Sequence, residues 1–87
     1  MKEISLSRHA EYKLQVLDDH GFTVTKHQIE AALESPDRKE RGYGNRIIFQ
    51  KGFDQEHVLR VVCEEREDAI IVITLYPARR ERYETKI

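Results

Sequence analysis

Between Arg8 and Asp19, Ala10, Leu14 and Leu17 recur at i, i+4 and i+7 among charged and polar residues, which predicts an amphipathic helix with one apolar stripe. Ser7 stands at its N-cap position, and His20-Gly21 stops it, the glycine being suited to the left-handed conformation after a helix end. Thr25-Lys26-His27-Gln28 has the form of a capping box, and Val24 and Ile29 are spaced as a hydrophobic staple. A second helix is therefore expected over Lys26 to Glu34. It buries Ile29, Ala32 and Leu33 and is closed by Pro36, which biases Ser35 away from helical angles.

After Pro36 the period changes to two. Gly42-Tyr43-Gly44-Asn45 reads as a turn, Arg46 to Lys51 as a strand, and Lys51 to Asp54 as a reversal. Val58 to Glu64 puts Leu59, Val61 and Cys63 on one face of a half-buried strand. Glu65 to Asp68 forms a charged hairpin loop. Ala69 to Tyr76, almost wholly apolar and β-branched, has the composition of a central strand buried on both faces. Arg38 to Tyr43 is a weaker segment that could pair at an edge. The expected fold is α+β: two N-terminal helices packed on a three- to four-stranded antiparallel sheet, as one domain over residues 1–87.

Composition narrows the setting. Of 87 residues 39% are hydrophobic and 36% charged, enough for a single core under a heavily charged surface. The longest uncharged apolar run, Ala69 to Pro77, is about nine residues against the roughly 20 of a membrane helix. No secretory signal is recognisable at the N-terminus, so a cytoplasmic protein with no membrane contact is expected. One cysteine, Cys63, forms no internal disulfide and is read as a small buried hydrophobe.

The net charge of −1 conceals blocks. Residues 1–37 hold seven acidic residues against four basic, 38–51 one against five, 54–69 six against two, and 70–87 two against four. If folding joins the two basic blocks, they form a patch for a phosphate backbone or an acidic protein partner. The plainer alternative is solvated loops and strand edges guarded by charge.

Cleavage of RNA without a metal needs a base for the 2′-hydroxyl proton, an acid for the leaving oxygen, and a cation for the phosphorane. His9 and Lys13 lie at i, i+4 on one helix face beside the apolar stripe. Thr74 and Tyr76 share a strand face, and Arg79, Arg80, Arg82 and Tyr83 follow. If the first helix lies over that face, His9, Lys13, Thr74, Arg82 and Tyr83 converge as a catalytic group, and Arg46, Arg79 and Arg80 are the candidates for holding RNA. Each has an ordinary alternative: His9 as a solvated residue near a helix start, Lys13 as surface, Thr74 as a β-former, the arginines as a charged tail. His20, His27 and His57 show no metal-ligand spacing, so no metal and no cofactor are expected.

The run Ser7-Arg8-His9-Ala10, the turn Gly21 to Thr25, and the strand Ile71 to Pro77 followed by Arg79 to Tyr83 resemble a bacterial and archaeal domain-of-unknown-function family. Its members open with a Ser-x-His-Ala helix and close with a Val-x-Thr-x-Tyr strand and a basic-aromatic tail. That family is placed near the RelE/ParE-like toxins, in the barnase/EndoU/colicin/RelE fold group. The resemblance covers residues 5 to 83. It implies two helices on a twisted antiparallel sheet, an endoribonuclease of a toxin–antitoxin pair, and RNA and an antitoxin as partners. By the same resemblance His9 matches the helix histidine, Thr74 the strand threonine, and Arg82-Tyr83 the terminal pair. At position 13, where the resemblance leads one to expect arginine, stands Lys13, which keeps the charge but lacks the bidentate fork. The competing expectation is a non-catalytic module that binds an acidic partner or nucleic acid.

Overall fold

The computed structural model describes residues 2–83, the last of them through its backbone. The chain runs β1 (Glu3–Leu6), α1 (Arg8–Asp19), α2 (Lys26–Glu34), β2 (Arg38–Arg41), β3 (Arg46–Gly52), β4 (His57–Glu65), β5 (Ala69–Arg79) and α3 (Arg80–Tyr83). The strands form one sheet in the order β1-β5-β4-β3-β2. The α+β class is as expected, with five strands and three helices in place of three or four strands and two helices. β2 to β5 are an antiparallel meander, and β1 adds in parallel to β5, with Glu3 opposite Ala69 and Leu6 opposite Val72. The sequence reading passed over β1 because four residues, Glu-Ile-Ser-Leu, hold only two alternations and gain their backbone partners from the far end of the chain.

Both long helices have the predicted limits, and their caps explain why. Ser7 Oγ accepts from the Ala10 N–H, and Thr25 and Gln28 complete the reciprocal capping box. At the end of α1 the Gly21 N–H donates to Asp18 O and the Phe22 N–H to Leu17 O, the bond pair of a Schellman motif, with Gly21 at φ +87°.

The two sheet faces differ. Phe49, Val61 and Leu75 stand opposite one another on adjacent strands, as do Ile47, Cys63 and Val72, and these side chains pack with Ala10, Leu17, Ile29, Ala32 and Leu33 into the core beneath α1 and α2. The opposite face carries the rows Glu40–Ile48–Val62–Thr74 and Arg38–Gln50–Arg60–Tyr76. Neither α1 nor α2 covers it. β5 is therefore central but not buried on both faces, in contrast to the expectation from its apolar run. Its alternation is interrupted: Val62 pairs with Thr74 and Cys63 with Val72, so Ile73 is one residue in excess. That bulge turns Val72 and Leu75, three apart, to the same core, and sends Thr74 and Tyr76 to the open face.

At one end of the open face α3 turns back over the sheet. The Arg80 N–H donates to Glu56 O and its Nε to Asp54 O, and a Cβ on Gly52 would meet Arg80 Nη2 at 2.7 Å. Arg80 thus lies across Gly52, and Val58, opposite Gly52 on β4, is buried outside the main core. No helix among the described residues is long and apolar enough to cross a membrane.

Gly21→Ala tests the helix stop. No atom lies within 4 Å of the added Cβ, so the cost is the backbone's alone: about 1 kcal/mol lost in urea denaturation, with the fold unchanged by circular dichroism.

Candidate active site

β1 pairs with only the first four residues of β5, and α1 occupies the next stretch of that edge. The hand-over is made by Ser7: its N–H donates to Val72 O at 2.9 Å and its Oγ to Ile73 O at 2.8 Å while capping α1. Two residues on, His9 Nε2 lies 3.1 Å from Thr74 Oγ1. The expected meeting of the helix histidine with the strand threonine is present, though α1 borders the open face and does not lie over it. Ala10 and Leu17 point to the core, and His9 turns the other way, around the edge of the sheet.

The open face holds a feature that the sequence reading missed. Arg60, 4% exposed, donates from Nε to Tyr76 Oη at 3.0 Å, from Nη1 to Gln50 Oε1 at 2.5 Å, and from Nη2 to Glu40 Oε1. Gln50 is 3% exposed, and Arg38 Nη2 reaches the other oxygen of Glu40 at 3.4 Å. Charge and hydrogen bonding are thus matched across four strands, as a buried guanidinium requires. Alternation could have placed Gln50, Arg60 and Tyr76 on one face, but a lone arginine in a strand of valines reads as a solvent-facing position. Only the cross-strand register shows that it meets a carboxylate and an amide.

Partners set the protonation states. The Arg60 hydrogen bond holds the Glu40 carboxyl below its ordinary 4.5 against the opposing effect of burial, and the charges of Arg60 and Arg38 add to it. Burial disfavours the charged form of Arg60, but its bonds to Tyr76 and Glu40 outweigh this and raise its value, so the guanidinium stays charged. Burial, with the Glu65 charge, pushes the Cys63 thiol up to about 12, and at 0% exposure it has no nucleophilic role at neutral pH.

The remaining candidates are dispersed. Lys13, one turn after His9, is half-buried on the same helix. Arg82 is exposed on α3 and shares a cleft with Tyr76. Tyr83 lies outside the residues whose side chains are described. Arg79, opposite His57 on the neighbouring strand, has Nε 3.6 Å from Glu81 Oε1, while Arg80 is tied to the β3–β4 loop. Arg46 faces Glu64 at the other end of β3 from Gly52 and Arg80; six residues at ~3.3 Å each put about 20 Å between them. Arg41 and Arg46 therefore stand apart from the C-terminal arginines, whereas Arg38 and Lys51 lie at the end of β2 and β3 nearer Arg80. Among the described residues no group of three His, Cys, Asp or Glu side chains is placed to hold a metal ion.

The Glu40 carboxyl binds its proton less readily folded than unfolded. Its contribution to stability is complete above 4.5 and is lost as pH falls through the lowered folded value. Urea midpoints for wild type and Glu40→Gln should differ by roughly 1 kcal/mol near neutrality and converge in acid. A constant difference down to pH 3 would contradict the pairing.

Searches of characterised proteins and of solved structures found no match to the chain. Residues 6–77, from the last residue of β1 to the proline in β5, match a domain of unknown function, DUF4258. That span includes Ser7, His9, Lys13, Glu40, Gln50, Arg60, Thr74 and Tyr76 but leaves out Arg79, Arg80, Arg82 and Tyr83. By this match over most of its length, the chain belongs to the DUF4258 family.

Proposed function

We propose that this domain is a metal-independent endoribonuclease of the RelE/ParE-like kind that cleaves RNA on the open sheet face. The observation that carries it is the 3.1 Å contact between His9 Nε2 and Thr74 Oγ1 on the strand face that also presents Tyr76. With Nε2–H donating to Thr74 Oγ1, Nδ1 keeps the lone pair, and among the described residues it has no partner. His9 then takes the 2′-hydroxyl proton as the 2′ oxygen attacks phosphorus.

As the bond from phosphorus to the 5′ oxygen breaks, that oxygen needs a proton. The Tyr76 oxygen already accepts from Arg60 Nε, so its own hydrogen is free to be donated, and the guanidinium stabilises the phenolate left behind. The products are a 2′,3′-cyclic phosphate and a 5′-hydroxyl end. Lys13, on the same helix face as His9, and Arg82, beside Tyr76, supply positive charge to the phosphate. Arg60 is occupied by protein groups and acts as a positioning residue, not as a phosphate ligand. The same reading makes the protein the toxic partner of a toxin–antitoxin pair.

Purified protein incubated with RNA in chelator should cleave it, leaving cyclic phosphate ends. His9→Ala should slow cleavage by roughly 10²–10⁴-fold, and Thr74→Val, which keeps the shape but removes the acceptor, by about tenfold. Equal cleavage by wild type and His9→Ala, or none by either, would remove the proposal. Binding of RNA without cleavage would leave the interaction module as the function.

A further inference from the structure

Beside the open face, a cleft of about 370 Å³ lies between the α1–α2 loop, the start of β4, the end of β5 and α3. Its size is within the ~300–1,000 Å³ of small-molecule sites. Phe22, His57, Tyr76, Pro77, Arg79 and Arg82 line it.

The aromatic walls are fixed in place. Phe22 is pinned by its N–H bond to Leu17 O, stands edge-on to the His57 ring with centroids 5.0 Å apart, and is 6.1 Å from Phe53. His57 Nδ1 is 2.9 Å from Asp54 Oδ1, an oxygen that also accepts the backbone N–H groups of Glu56 and His57. The imidazole therefore cannot swing out of the wall without losing a carboxylate partner. The cationic side is looser: Arg79 makes one long contact with exposed Glu81, and among the described residues no carboxylate pairs with Arg82.

Flat rings and a proline next to two guanidinium groups and an imidazole suit a base with its phosphate better than a peptide carboxylate, which would leave the apolar wall unused. Tyr76 belongs both to this cleft and to the open face, and Thr74 lies two residues up the strand, ~7 Å away. One extended nucleotide covers that distance. We propose that the cleft is a nucleotide subsite holding the base and phosphate of one residue of single-stranded RNA next to the bond presented to His9. It takes its substrate class from the reading above, but binding here does not require cleavage.

The test is fluorescence anisotropy with a labelled 2′-O-methyl RNA hexamer, which cannot form a cyclic phosphate. The arms are wild type, the double variant Arg79→Gln/Arg82→Gln, Phe22→Leu, and Arg66→Gln on the distant β4–β5 loop as control. The double variant should weaken binding tenfold or more and flatten its salt dependence, since two phosphate-facing charges are gone. Phe22→Leu, which keeps an apolar side chain but not the flat ring, should weaken it about fivefold or more, and Arg66→Gln should match wild type. Adenosine monophosphate, titrated as competitor, should bind at least tenfold more weakly than the hexamer. Wild-type affinity in the double variant, or mononucleotide binding as tight as hexamer binding, would overturn the subsite; so would capture of poly-glutamate in place of the hexamer. Hexamer binding that depends on Arg79, Arg82 and Phe22 in a protein that cleaves no RNA would uphold the subsite and refute only the ribonuclease reading.

Discussion

The geometry of the open face depends on how Ser7 joins a strand to a helix. Its N–H extends the β1 ladder by one more bond to β5, its hydroxyl donates to the next carbonyl of β5, and the same oxygen caps α1. One side chain thus ends the strand, starts the helix and fixes the helix axis to the β5 edge. His9 is two residues from this anchor, so its reach to Thr74 follows from local backbone geometry and not from distant packing. The core confirms the orientation: with Ala10 and Leu17 drawn under the sheet, the helix has only its other side to present to the open face.

Within that face the charges are managed by pairing. Glu40 answers both Arg38 and Arg60, Gln50 takes a further guanidinium hydrogen, and Tyr76 receives Nε. The cluster costs desolvation, and an apolar row of the same volume would pack at least as well. A buried cation is understandable where a phenol hydroxyl has to be held at a fixed point on a strand. The sheet carries that phenol on the same side as Thr74, one pleat further along.

Much of this was legible in the chain. Capping at Ser7 and Thr25, the stop at Gly21 and the apolar stripes defined both helices, because these signals are local and the structure uses each of them. The meeting of His9 with Thr74 was expected on the condition that the first helix lay over the open face, and it occurs from the edge of the sheet instead. What stayed hidden depends on register. β1 becomes a strand only because β5 is beside it, and Arg60 looks solvated until its neighbours across β3 and β2 are known. The apolar run of β5 suggested burial on both sides because the extra Ile73 breaks the alternation that would have shown an open face. Whether the basic blocks meet also depends on register, which puts Arg38 and Lys51 at the end of β2 and β3 nearer Arg80 and Arg41 and Arg46 at the other.

The extra residue in β5 has a meaning for how such a chain can vary. Were Ile73 deleted, Val72 and Thr74 would become consecutive and regular alternation would return: Val72 and Leu75 would keep the core face and Thr74 and Tyr76 the open face, while the carbonyl to which Ser7 Oγ donates would be lost. Substitution at Ile73 leaves that carbonyl in place, whereas loss of the residue takes away a tether of the helix to the strand without turning either face. A one-residue gap at this point is thus compatible with both faces of the sheet, and what the extra residue contributes is the seat of the helix on the strand edge.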